Sequence, residues 1–187
     1  MAKLIIITGF LATMKTTISS RLSNDLKLVC LNKDSFKEIL GDTIGYSNRA
    51  ENLKLSQATF KIMKMMIEKL LQAGIDVIIE SNFKQPELIE LREILPISLE
   101  NVLTLFIEGN PYVIYERYKT RQPSRHPVHK SIELMSYETF TASMASYRSD
   151  DCFGTVVKCD TTDFNETKYH DLLTITKRFL SNDEQTI

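Results

Sequence analysis

Short apolar runs alternate with longer stretches of helical periodicity along the whole chain. Residues 3–8 (KLIIIT), 27–32 (KLVCLN), 75–80 (IDVIIE), 101–108 (NVLTLFIE) and 155–160 (TVVKCD) are near-continuous apolar stretches. Such runs predict five strands, the first two of them buried on both faces. Between them, apolar residues recur every three or four positions. Residues 15–22 place Ile18 and Leu22 on one helical face, and Ser35 with Glu38 has the spacing of a capping box that would start a short helix. Residues 51–73 read as one long helix with Leu55, Ala58, Ile62, Met66 and Leu70 as its apolar stripe and Gly74 as its stop. The cluster Met63, Met65, Met66 reads as flexible core filler rather than a ligand site. Pro86 opens and Pro96 closes a helix over 86–95, and Asn110-Pro111 supplies the N-cap and first turn of another over 111–121. Pro123 and Pro127 interrupt the chain. A further helix is expected over 132–147, and a last one after Asn165 carries Tyr169, Leu172, Leu173, Thr176 and Leu180 on one face.

Strands separated by helices imply right-handed crossovers, hence an α/β fold with a mostly parallel sheet and helices on both faces. There is no internal repeat and no low-complexity linker, and 187 residues suit one domain, 1–187, with a full core. Open sheets of this kind bind ligands beyond the carboxyl ends of their strands. Chemistry is therefore expected just after Thr8, Asn32, Glu80, Glu108 and Asp160.

Composition narrows the partners. Apolar residues make up 43% and charged residues 25%; Lys plus Arg is 23 against Asp plus Glu 24, a net charge of -1. No overall field favours nucleic acid or an acidic membrane. Cys30, Cys152 and Cys159 have no metal-ligand spacing and read as reduced thiols in or near the core. The N-terminal run LIIITGFLA is far too short to span a bilayer and lacks a cleavage pattern, so a cytoplasmic protein is expected.

The first strand end carries the clearest motif. Residues 9–17 read GFLATMKTT, with Lys15-Thr16 six residues after Gly9, as in the phosphate-binding loop G-x-x-x-x-G-K-[ST]. A turn of exposed backbone N–H groups at the positive end of a helix wraps a polyphosphate. The expected nucleotide contacts are Gly9, Leu11, Ala12, Thr13, Met14, Lys15, Thr16 and Thr17, with Lys15 on the β/γ-phosphates and the Thr16 hydroxyl on Mg²⁺. Met14 stands where the motif has glycine. Its Cβ would crowd the phosphate or strain the loop. A loop that has lost its nucleotide is the alternative reading.

Other strand ends add candidates. Asp34, after the second strand, is placed to act as general base on an acceptor hydroxyl, or merely to favour the N-terminus of the next helix. Glu80, closing the third strand, suits a Mg²⁺ or water contact, or is a solvated strand-end acid. Arg117, Arg121 and Arg125 are spaced by four; a segment carrying them could close over a polyphosphate, or they form a solvated face. Thr161 and Thr162 could hydrogen-bond adenine, or form a plain polar turn. His126 and His129 flank Pro127 and are not read as a metal pair, though His126 could contact substrate or phosphate.

Together, the stretches GFLATMKTT, LNKDSFKEIL, GIDVIIESNF and ERYKTRQPSRHPVH resemble the small P-loop kinases that include zeta-toxin-like and polynucleotide-kinase-like ATP-dependent phosphotransferases. The resemblance implies a three-layer P-loop NTPase fold with five strands ordered 2-3-1-4-5 and a lid at about 117–131. It matches Lys15 and Thr16 to the phosphate loop, Asp34 to the base, and Arg121 and Arg125 to lid arginines; Glu80 replaces an aspartate often found there. ATP and Mg²⁺ are the implied cofactors. The acceptor would be a small molecule, lined by 41–60 and 82–90, where Tyr46, Asn48, Arg49, Asn82 and Lys84 lie. A polynucleotide 5′-end kinase and a nucleotide-binding protein without catalysis are the competing readings.

Overall fold

The structure, a computed structural model, describes residues 1–130 and 133–181. Five strands, β1 (Leu4–Gly9), β2 (Val29–Asn32), β3 (Val77–Glu80), β4 (Val102–Glu108) and β5 (Thr155–Asp160), pair in parallel in the order β2-β3-β1-β4-β5. Helices α1 (Lys15–Leu26), α2 (Lys33–Ile44), α3 (Arg49–Gln72), α4 (Gln85–Ile94), α5 (Pro111–Arg121), α6 (Tyr137–Met144) and α7 (Glu166–Ser181) connect and flank them.

Side chains alternate across the central strand and split the core in two. Leu4 and Ile6 face α3 and α4, against Phe60, Met63, Ile67, Leu88 and Leu91. Ile5 and Ile7 face α1 and α7, against Ile18, Leu22, Tyr169 and Leu172. Full burial of each such side chain stabilises the fold by roughly 1.5–3 kcal/mol. A third cluster joins Phe10 and Ala12 of the β1–α1 loop to Ile114, Tyr118 and Phe140, with Phe10 and Phe140 edge to face at 4.9 Å. That cluster pins the loop to α5 and α6.

Four local expectations are corrected. β2 is an edge strand with Val29 exposed, not a strand buried on both faces; an apolar run signals a strand without saying how many neighbours it has. On α3 the buried row is Leu55, Thr59, Phe60, Met63, Ile67 and Leu71. Ala58 is exposed, while Ile62, Met66 and Leu70 are half-buried, because the stripe is two rows wide and the sheet takes the row carrying Phe60. Asn32 rather than Ser35 caps α2, its side-chain oxygen accepting from the Ser35 N–H at 2.9 Å, so the helix begins at Lys33. Finally α6 is confined to Tyr137–Met144, started by Ser136 as N-cap. The expected start of that helix at Ile132 and the lid end at 131 lie outside the described residues.

The cysteines form no disulfide among the described residues, and burial pushes all three thiols up to about 11. They are protonated and poorly nucleophilic at neutral pH. Among the described residues, no helix is long and apolar enough to cross a membrane.

Candidate active site

The site begins where β1 stops. Gly9 has φ +138, and a Cβ there would overlap the Ile107 carbonyl of β4. Ala12 and Met14 then both take left-handed backbone, at φ 59 and φ 68. For residues with a Cβ this costs about 1–2 kcal/mol each. Such turns aim successive N–H groups into one concavity, an anion-binding arrangement that the first turn of α1 extends.

Lys15, the first residue of α1, is buried, its ammonium donating to the Phe10 carbonyl at 2.5 Å and the Thr13 hydroxyl at 3.4 Å. Burial lowers its pKa to about 8; nearby Glu80 and Asp34 oppose that shift, while Arg121 and Arg125 add to it. The Thr16 hydroxyl donates to Glu80 Oε2 at 3.1 Å, and the Asn32 amide donates to the same oxygen. Burial also raises the Glu80 pKa, against the pull of Lys15. Asp34 sits in the first turn of α2, where a carboxylate is favoured by the helix dipole, with its side chain 52% exposed.

These groups converge on one narrow cleft. Leu11, Ala12, Thr13, Met14, Lys15 and Thr16 form its floor; Asp34, Glu80, Asn82, Tyr118, Arg121 and Arg125 form its walls. Among the described residues, neither the Arg121 nor the Arg125 guanidinium has a hydrogen-bond or ion-pair partner. Burial depresses the Arg125 pKa, with Asp34 opposing. Two unpaired guanidiniums beside a buried ammonium fit a polyphosphate and are costly without one. The Thr16–Glu80 pair fits a Mg²⁺ carried by that polyphosphate. No group of three His, Cys, Asp or Glu side chains among the described residues makes a metal cage of its own.

Beyond α5 the chain folds as two short turns, Gln122–Ser124 and Pro127–His129, and the second docks onto α2. Asp34, Glu38 and Asp42 form a row there at four-residue spacing. His129 Nε2 lies 3.2 Å from Glu38 Oε1 without hydrogen-bond alignment, its Nδ1 3.9 Å from Asp34 Oδ1, and His126 Nε2 3.0 Å from Asp42 Oδ1. Asn52 of α3 donates to the Val128 carbonyl at 3.0 Å. Burial lowers the His129 pKa, with Asp34 opposing. The acidic row and its histidine partners were missed in sequence, although the four-residue spacing was legible. His126 was expected to contact substrate or phosphate; it turns to Asp42 instead.

Four of the expected nucleotide contacts are not part of this narrow cleft. A second, wider and more open cleft runs between the start of α1 and α5. Thr17 lines this one, as does Arg117, whose guanidinium is held by the carbonyls of Thr161 at 2.7 Å and Thr162 at 3.1 Å. Arg117 thus ties α5 to the β5 end and does not reach the narrow cleft. Thr161 lines neither cleft; it is fully buried and its hydroxyl donates to the Glu108 carbonyl at 2.9 Å, so no adenine bond is open to it. Gly9 also lines neither, its role being close packing against β4. Of Tyr46, Asn48, Arg49, Asn82 and Lys84, Asn82 alone lines the narrow cleft; Asn48 caps α3.

Lys15 gives the site a measurable signature. An anion held against its ammonium favours the protonated form, so binding at pH near 8 is expected to take up about half a proton per site. Calorimetry in buffers of different ionisation enthalpy reads this directly. Uptake that persists in Lys15→Met assigns the proton to another group.

No family model matches the sequence, and no curated protein matches it. Solved structures do. A candidate kinase from Chloroflexus aurantiacus is 26% identical, with a TM-score of 0.78 over 95% of this chain and 98% of that one. A gluconokinase from Sinorhizobium meliloti has a TM-score of 0.61 at 12% identity, covering 98% of each chain. A shikimate kinase from Bacteroides thetaiotaomicron has a TM-score of 0.59 at 12% identity, over 96% of this chain and 98% of that one. At that identity the last two speak to the fold alone. The fold is that of the P-loop kinases: a five-stranded parallel sheet in the order 2-3-1-4-5 with helices on both faces.

Proposed function

We propose that this chain transfers the γ-phosphate of ATP to a hydroxyl of a small molecule. The observation that carries the reading is the narrow cleft, where Lys15, Arg121 and Arg125 converge without carboxylate partners opposite Asp34 and Glu80. Phosphoryl transfer asks of a protein mostly positioning and charge neutralisation, and these residues supply both. Lys15 and the loop N–H groups would hold the phosphates. Arg121 and Arg125 would neutralise the charge spread over the transferring group. Thr16 and Glu80 would hold Mg²⁺, which supplies Lewis-acid charge stabilisation when bound. Asp34, half-exposed at the cleft wall, would orient the acceptor hydroxyl and take its proton.

The acceptor screen runs over small molecules that carry a hydroxyl, the group that Asp34 at the cleft wall would serve. The first test is the melting temperature with and without ATP and Mg²⁺. At a hundred times its dissociation constant a ligand stabilises the fold by about 2.7 kcal/mol, a shift of several degrees for this size. Asp34→Asn is expected to keep that shift and to lose ADP release by at least about a hundredfold once an acceptor is in hand. No shift in the wild type removes the nucleotide from the reading; full turnover in Asp34→Asn removes the base.

A further inference from the structure

Met14 is the residue the phosphate-loop pattern does not account for. It holds left-handed backbone at φ 68 and ψ 13 at the N-cap of α1, and its side chain makes no capping bond there. Glycine would take that backbone freely, so something other than helix capping must compensate for the methionine. Its side chain is half-buried at the margin of the core between the sheet, α1 and α7. It also borders both clefts, the narrow one holding Lys15, Asp34 and Glu80 and the wide one facing α5. Met14 therefore stands at the junction where a polyphosphate chain, lying over the loop, would give way to the rest of its carrier.

The two walls of the wide cleft differ. The α5 wall carries Tyr112, Val113 and Arg117, whereas the loop wall carries Ala12, Met14, Thr16 and Thr17. On the loop wall Met14 is the one long apolar side chain. A thioether is polarisable, adaptable in shape and favourable against the edge or face of an aromatic ring. A glycine in its place would leave that wall with a methyl group and two threonines.

We propose that Met14 is a specificity-determining residue that contacts the nucleoside moiety of the phosphoryl donor, so that the site distinguishes a nucleoside triphosphate from a bare triphosphate. This rests on the phosphotransferase reading above and assigns the strained loop residue a ligand. Lys15 and the arginines bind both donors alike, because both present the same phosphates. Met14 binds one of them.

The experiment compares dissociation constants of ATP·Mg²⁺ and inorganic tripolyphosphate·Mg²⁺ for the full chain and for Met14→Gly and Met14→Leu. Met14→Gly is expected to weaken ATP by about tenfold, the loss of one partly buried apolar contact, and to leave tripolyphosphate unchanged or tighter. Met14→Leu, which keeps the apolar volume, is expected to stay within about threefold of wild type for ATP. Parallel changes in both ligands, tighter ATP binding by Met14→Gly, or a wild type that binds the two ligands equally would overturn the inference while leaving the kinase reading standing. A wild type that binds neither ligand overturns both.

Discussion

Lys15→Ala is expected to lower phosphotransfer by about a thousandfold, the scale on which removing one preorganised charge-stabilising donor acts. The readout is ADP release with the acceptor found by screening, or ATP hydrolysis alone. The fold should survive. Lys15 is a buried ammonium held by the Phe10 carbonyl and the Thr13 hydroxyl, without a carboxylate at ion-pair distance among the described residues. Burial has already lowered its pKa to about 8 from 10.5, which means the native state disfavours its charge. Between those two values the unfolded chain binds more protons than the folded one at this residue. Wild-type stability should therefore rise, relative to Lys15→Ala, as pH climbs from about 8 towards 10.5. At neutral pH the variant should melt no lower than wild type. A variant that is folded and turns over within threefold of wild type would remove Lys15 from the mechanism. One that melts far lower would show that the lysine is a structural strut.

The largest effect on stability is expected at Gly9. A Cβ built there overlaps the carbonyl oxygen of Ile107 and stands 3.0 Å from its carbon, both of them backbone of the paired strand β4. Backbone in a ladder cannot rotate away as a side-chain tip can. The φ of +138 adds strain for any side chain. Together these place Gly9→Ala at about 4 kcal/mol or more, among the exceptional single-substitution effects. For a chain of this size that is a fall of order 10 °C in melting temperature. Gly45→Ala is the control: its φ is +76 but nothing lies within 4 Å of the added Cβ. It should cost only the backbone strain, about 1–3 kcal/mol for a side chain forced to φ 76 and ψ 175. Equal losses in the two variants, read by denaturant unfolding, would mean that the contact with β4 is not what holds Gly9 in place.

What was legible in the sequence had a physical reason to be. Runs such as LIIITG announce strands because a sheet covered on both faces needs apolar side chains in both directions, and every residue of β1 is buried. The carboxyl ends of those strands were legible as well, which is why Asp34 and Glu80 stand out in the sequence. The strand order came from family likeness, not from periodicity. Facing was harder. The two apolar rows of α3 are equally good helically, and only contact with the sheet selects Phe60, Met63 and Ile67. Polar residues were harder still, since their partners are remote. Thr161 looked available for a base and is consumed by Glu108; Arg117 looked like a phosphate ligand and is consumed by two carbonyls. The partners of the histidines beside Pro127 were out of reach, because those acids stand more than eighty residues away on α2.

Asn32 carries a consequence of a different kind. It ends β2, caps α2 with its oxygen, and with its nitrogen holds the oxygen of Glu80 that Thr16 also holds. No loop residue separates strand from helix. Length variation among related proteins therefore has no room between positions 29 and 34: one residue more or fewer before Asn32 would detach its amide from Glu80, and one between Asn32 and Asp34 would turn Asp34 about 100° around α2. In an alignment this stretch should carry no gaps, and drift in chain length should collect in the turn between α2 and α3, where Gly45 stands in open space.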